Sequence, residues 1–291
     1  MGEATDRGFH ATSAPYALPN DATEHERLEL QTKAIDQMLG DPITKAPLNN
    51  PKRILEVGCG TGNVARRLAG MHPNASVIGV DLSPVPSSES TPPNVAFIQG
   101  DIHELAGDNA QVPELQPGSF DYIFSRMLVF GIRDWPEHFS RLKRLLAPGG
   151  WLELQEVDLT GFYDGQENLM SSHWIWLSEQ REAFTWIGLH IDCAPDLGDY
   201  LSQTEFQDVH TQKYRWMLGP WEGHPETDLM AHFSTRYTAD ANFTAYKKVL
   251  GSSKSESELA DVEKEMKEAF SWSKDGKHLR FFVAYGQRPN A

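Results

Sequence analysis

Arg53-Ile54-Leu55-Glu56-Val57-Gly58-Cys59-Gly60-Thr61-Gly62 decides how the rest of the chain is read. An apolar run of strand length passes into three closely spaced glycines, and Val64 to Ala69 then has the composition of a helix that packs back on the strand. Glycines at such a junction let the backbone pass close to a ligand at the carboxyl edge of a sheet, where open α/β folds bind nucleosides. The stretch therefore predicts the first β-turn-α unit of a doubly wound sheet.

Working outward, Ser76 to Val80, Val95 to Gln99, Phe120 to Phe124 and Trp151 to Val157 read as further strands. Helical stretches lie between them, including Trp135 to Leu146, which Pro148-Gly149-Gly150 ends. Strands alternating with helices predict a parallel sheet. Upstream, Leu28, Ile35, Met38 and Leu39 recur at helical spacing, with Asp21 and Glu24 as a capping-box-like start, so a helix is expected over 22–39. Asp41 to Lys52, with Pro42, Pro47 and Pro51, is a connector. Downstream, helices are expected over 168–190, 197–205, 226–250 and 255–270, with strands over 207–217 and Leu279 to Tyr285. The expected fold class is α/β, a Rossmann-like doubly wound seven-stranded sheet, mostly parallel with its last strand antiparallel, and helical additions covering the active site. Three regions follow: an N-terminal arm and cap helix over 1–50, a cofactor-binding core over 51–160, and residues 161–291, which complete the sheet and insert substrate-binding helices.

The chain has 291 residues, with 26 Lys and Arg against 41 Asp and Glu, a formal charge of −15. That balance repels polyanions, and Arg141, Lys143 and Arg144 are too short a cluster to offset it, so nucleic acid is disfavoured as a partner. Neither a basic-then-apolar leader nor a spanning stretch of about 20 apolar residues is visible, so no membrane partner and a cytoplasmic location are expected. Cys59 and Cys193 suit a reducing compartment, and no His/Cys spacing suggests zinc.

The spacing at the bend is GxGxG, with Glu56 two residues before the first glycine, whereas a dinucleotide fold uses GxGxxG and aims a helix N-terminus at a pyrophosphate. Glu56 would repel a pyrophosphate and suit a ligand carrying a cationic sulfonium and an ammonium. Asp81, 23 residues after Gly58, falls where an acid accepts hydrogen bonds from ribose hydroxyls, with an N-cap before Ser83-Pro84 as the plainer alternative. In Gly100-Asp101-Ile102 an acid and a backbone N–H follow the third strand, where adenine could bond, although such an Asp is often a turn residue.

The series ILEVGCGTG, VIGVD, FIQGD, FDYIFSR and LLAPGGWLELQE, over residues 53–157, resembles motifs I to VI of the class I S-adenosylmethionine-dependent methyltransferases. With Tyr16-Ala-Leu-Pro-Asn-Asp, Asp81-Leu-Ser-Pro, Pro92-Pro-Asn-Val, Arg133-Asp-Trp-Pro and a terminal Tyr-Gly-Gln-Arg-Pro, the whole chain resembles fungal secondary-metabolism methyltransferases of the LaeA-like or UMTA type. The resemblance implies S-adenosylmethionine as cofactor and S-adenosylhomocysteine as product. It implies contacts from Glu56, Gly58, Cys59, Gly60, Gly62, Asp81, Leu82, Asp101, Ile102, Ser125 and Arg126, with Tyr16 closing over the methionine end. Cys59 would contribute backbone, its thiol packed rather than reactive.

The expected activity is methyl transfer to oxygen, nitrogen or sulfur of a small hydrophobic or aromatic secondary metabolite in a fungal biosynthetic pathway. The alternatives are a LaeA-like regulator acting through protein partners, in the nucleus as well, and a cofactor-binding fold repurposed for a non-methylating reaction. Methyl transfer from a sulfonium needs chiefly an in-line nucleophile, so a base is optional. Candidates are His173, His190, His232 and Asp158. Trp174, Trp176, Trp186, Trp216, Trp221, Phe233 and Tyr237 are candidates for an apolar acceptor pocket, no more than half of them expected there and the rest in ordinary core. Helices at 226–270 are expected to form a lid. DNA-amine methylation is disfavoured, because Ser125-Arg126-Met127-Leu128 follows the fourth strand in place of an Asn/Asp-Pro-Pro motif, and no paired-glutamate loop marks a protein arginine methyltransferase. Monomer and homodimer are both left open.

Overall fold

The computed structural model describes residues 22–40, 42–106 and 112–290. Seven strands form one sheet: β1 (Arg53–Val57), β2 (Ser76–Asp81), β3 (Val95–Gln99), β4 (Phe120–Arg126), β5 (Leu146–Tyr163), β6 (Gln207–Met217) and β7 (His278–Gln287). Their order is β3-β2-β1-β4-β5-β7-β6, with β7 antiparallel to both of its neighbours and the first five strands mutually parallel. This matches the expected class, including the reversed last strand.

Period-two alternation divides each central strand between two cores. Ile54, Val77, Tyr122 and Phe124 pack on one face with Val64, Ala65, Leu68 and Ala69, the buried face of α2 (Asn63–Met71). Leu55, Val57, Ile78, Val80 and Ile123 point the other way, into the larger core that holds Trp135, Phe139, Leu142 and Leu145 of α4 (Trp135–Leu145). The sheet order reverses between β1 and β4, so helices leave on opposite faces there and a crevice opens beyond the carboxyl ends of the strands. The remaining helices are α1 (Ala22–Leu39), the short α3 (Ile102–Leu105), α5 (Ile175–Trp186), α6 (Leu197–Gln203), α7 (Asp228–Phe233), α8 (Ala239–Leu250) and α9 (Glu256–Ala269). Among the described residues no helix is long and apolar enough to cross a membrane.

Three local expectations are corrected. The helix expected from residue 168 starts only at Ile175, because the Asp164 side chain bonds the backbone N–H groups of Gln166 and Asn168 (both 2.9 Å) and holds a loop instead. Pro148-Gly149-Gly150 does not stop α4, which ends at Leu145; Leu146 already pairs with Phe120, and the Pro-Gly-Gly stretch is an irregularity inside β5. The helix expected over 226–250 is interrupted, since a π-helical segment, Ser234–Thr238, separates α7 from α8. Ser234 and Thr235 there each donate a side-chain hydrogen bond to the carbonyl four residues back, at 2.8 and 3.0 Å. The expected capping residue Asp21 lies outside the described residues.

Candidate functional site

The glycine bend is built by three left-handed residues, Gly58 (φ 70°), Gly60 (φ 52°) and Gly62 (φ 75°), a region in which a Cβ is strained. At Gly58 the limit is also steric, since an added Cβ would overlap the Leu128 side chain across the crevice. Neighbouring strand β2 fixes the bend: Gly58 and Cys59 both donate to the Val80 carbonyl (2.8 and 3.0 Å), and Gly60 N–H donates to Asp81 Oδ2 at 2.7 Å. The other oxygen of Asp81 accepts from Ser83 N–H at 2.9 Å. One carboxylate at the end of β2 thus ties the bend to the loop after its own strand. Cys59 is buried against Gly79, and burial pushes its thiol well above the usual range, so it packs rather than reacts.

The bend opens into a cleft of about 390 Å³. One side carries Glu56, Gly58, Gly60, Asp81, Asp101 and Arg126. A second wall comes from α1, where Glu24, Arg27, Leu28, Gln31 and Ile35 recur at helical spacing and line the cleft together. Asp36 secures this helix to the sheet by ion pairs to Arg67 and to Arg126 (3.1 Å). Trp216, near the end of β6, and Phe233, Thr238, Ala241 and Asn242 of the insert between β6 and β7 complete the lining.

Two ionisable groups in the cleft are incompletely hydrogen-bonded among the described residues. Glu56 is buried, its Oε2 has no hydrogen-bond partner, and burial raises its pKa to about 8 against the pull of Arg126. Arg126 donates through Nε to Gln155 (2.8 Å) and through one terminal nitrogen to Asp36, while its other terminal nitrogen is buried and unpaired. An unpaired carboxylate oxygen and an unpaired guanidinium nitrogen in one cleft suit a ligand bearing both an ammonium and a carboxylate. The loop after β4 is held at this height by Glu156, which accepts from Leu128 and Val129 N–H (2.8 and 3.2 Å) and whose pKa burial lifts to about 8.

Beyond β3, Asp101 caps α3, its side chain accepting from His103 N–H at 2.8 Å. His103 lines the cleft and shares a 2.9 Å contact between ring nitrogens with His138, which is fully buried and held neutral by desolvation, its pKa down to about 3.

Of the residues singled out from the sequence, Glu56, Gly58, Cys59, Gly60, Asp81, Leu82, Asp101, Ile102, Arg126, Phe233 and Trp216 line this cleft. Gly62 lies just behind, as the N-cap of α2 against Phe97 and Val85. Ser125 is buried in β4 opposite Val57, its hydroxyl without a partner and outside the cleft wall. Tyr16 lies outside the described residues. The candidate bases are not brought to the cleft. Asp158 sits between Val157 and Leu159, both of which line it, so strand alternation turns Asp158 to the opposite face, where it bonds Thr160 N–H (2.9 Å) and Oγ1 (2.6 Å). His173 is exposed ahead of α5, His190 is half-buried after it, and His232 is exposed beside Trp272.

Nor do most of the aromatic candidates reach the cleft. Trp174 and Trp176 stack on each other and meet Phe162 in tilted and edge-on contacts, Trp221 stacks on His224, and Tyr237 packs on Phe233. Trp186 is 90% exposed at the end of α5. Trp186→Ser should accordingly change unfolding free energy by no more than about 0.5 kcal/mol; a clear drop in calorimetric Tm would show that the ring packs on something. Residues not singled out from the sequence include Arg27, Gln31, His103, Thr238 and Asn242. For Arg27 and Gln31 the signal was present, since both fall on the helix stripe marked by Leu28 and Ile35.

The family model described as "Methyltransferase domain" matches residues 24–211. "Methyltransferase pytC" of Aspergillus terreus is 32% identical over 224 residues, covering 75% of this chain and 65% of that protein. "Methyltransferase str3" of Strobilurus tenacellus is 30% identical over 223 residues, covering 74% and 75% respectively. "Secondary metabolism regulator laeA" of Aspergillus flavus is 29% identical over 224 residues, covering 75% and 58%. The chain thus matches slightly less than two thirds of the length of pytC.

Proposed function

The chain belongs to the S-adenosylmethionine-dependent methyltransferase-domain family, and from that premise we propose that its cleft positions a small hydrophobic or aromatic secondary metabolite for methylation on oxygen, nitrogen or sulfur. The observation that carries this reading is the meeting of two carboxylates with separate duties, Glu56 and Asp81, at one glycine bend in one cleft.

S-adenosylmethionine supplies an activated methyl on a sulfonium. Glu56 faces its cationic end, and the unpaired nitrogen of Arg126 takes the methionyl carboxylate. Asp81, fixed by Gly60 and Ser83 at the end of β2, would accept from the ribose hydroxyls. Asp101 and the N–H of Ile102 take the adenine edge. Arg27, Leu28 and Gln31 of α1 would cover the ligand, and Trp216 of β6 with Phe233, Thr238 and Asn242 of the insert would hold the acceptor. Since His173, His232 and Asp158 stand off the cleft, the chain's contribution is orientation and exclusion of water, with effective molarities on the order of 10⁵ M available to a well-aligned pair.

Calorimetric titration with S-adenosylhomocysteine tests the assignment. In the free protein Glu56 holds its proton up to about pH 8; beside a bound ammonium it would ionise at lower pH. Binding near pH 7 should therefore release a proton, and affinity should rise with pH and level off above about 8. Glu56→Gln should abolish the release. Binding heats independent of the buffer's ionisation enthalpy would place the ammonium elsewhere.

A further inference from the structure

Two buried polar atoms, one at the end of β6 and one in the insert after it, have no hydrogen-bond partner among the described residues. They are the indole Nε1 of Trp216 and the hydroxyl of Thr238, and both residues line the cleft. Trp216, near the end of β6, is held by ring contacts with Phe233 and Phe281, each at 5.8 Å between centroids. Thr238 ends the π-helical segment, and its carbonyl accepts from Asn242 Nδ2 at 3.1 Å, leaving the hydroxyl unused. Val157, Leu159, Phe233 and Ala241 supply apolar lining in the same cleft, with Asn242 as the neighbouring polar side chain.

A buried donor left unbonded costs about 1–3 kcal/mol, and π-helical turns within α-helices concentrate at functional sites. Both residues line the cleft that also holds the bend proposed for the cofactor. We infer that Trp216 and Thr238 form the recognition subsite for the methyl acceptor, and that this acceptor is a largely apolar molecule bearing an oxygen with free lone pairs. The oxygen of a carbonyl, ether, enolate or phenolate takes the indole N–H, which can only donate, and the Thr238 hydroxyl bonds the same or an adjacent oxygen. A protonated amine has no lone pair to offer the indole, so cationic acceptors are selected against. This inference rests on the methyltransferase reading above.

The test uses the full chain saturated with S-adenosylhomocysteine and ligand-observed NMR. Coumarin, 4-hydroxycoumarin and acetophenone serve as oxygen-bearing probes, with indole and benzylamine as oxygen-free ones. The oxygen-bearing probes should bind about tenfold more tightly, the worth of one good hydrogen bond. Trp216→Phe and Thr238→Val should each remove most of that preference, leaving the oxygen-free probes and S-adenosylhomocysteine affinity unchanged. With S-adenosylhomocysteine bound, absence of any oxygen-bearing probe from the cleft, equal binding of both classes, or wild-type behaviour of both variants overturns the subsite alone. Failure of the wild-type chain to retain S-adenosylhomocysteine overturns the methyltransferase reading and the subsite with it.

Discussion

Asp81→Ala is expected to weaken S-adenosylhomocysteine binding by about 1–3 kcal/mol, roughly 5- to 150-fold, through loss of charged hydrogen bonds to the ribose. The same carboxylate also ties Gly60 to Ser83, so the variant loosens the bend and loses some thermal stability as well. Asp81→Asn separates the two effects. It keeps an acceptor oxygen for one backbone N–H, so it should recover part of the stability while still lacking the charge that favours the ribose. Titration calorimetry well below the Tm of each variant gives the comparison. Affinity equal to that of the unaltered protein would show that Asp81 serves only the loop.

The largest effect on stability is expected at Glu153, which is outside the cleft lining. Its carboxylate is fully buried and accepts from Lys45 N–H (2.8 Å), Ala46 N–H (2.8 Å), Tyr122 Oη (3.0 Å) and Gln155 Nε2 (2.7 Å). It thereby pins the connector after α1 to the middle of the sheet. Glu153→Ala leaves these donors facing a cavity and should cost about 3 kcal/mol or more, lowering Tm by about 6–12 °C. Glu153→Gln retains an acceptor oxygen and should cost less. A Tm within about 1 °C of the unaltered protein would mean that water or other groups satisfy those donors.

Strand positions were legible because a parallel sheet covered on both faces demands short apolar runs, and the runs at Ile54, Val77 and Phe120 are bounded by turn residues. The bend and Asp81 were legible for a related reason: the residues that shape the backbone there lie within a few positions of one another or at the ends of adjacent strands. Glu56, by contrast, gave its charge in the sequence but not its burial, which depends on how distant elements meet around the cleft.

The acceptor side was not legible. The walls of the cleft proposed for it come from α1, the end of β5, the end of β6 and the insert before β7, and their meeting depends on long-range packing that no local pattern encodes. Aromatic content misled accordingly. Trp186 is a large apolar residue that the fold leaves in solvent, while Trp174, Trp176 and Trp221 fill ring clusters of their own. Asp158 shows the same limit on a smaller scale, since the one-residue alternation of β5 that turns Val157 and Leu159 inward also turns it away. Thr238 became notable only through a π-helical turn, a distortion that apolar periodicity does not announce.

A crystal structure with S-adenosylhomocysteine tests the central claim most directly. Ribose density within hydrogen-bonding distance of Asp81, with the backbone of Gly58 to Gly60 against the ligand and the amino group facing Glu56, is the predicted result. Nucleoside density elsewhere on the molecule, or a cleft that stays empty at saturating ligand, would contradict it.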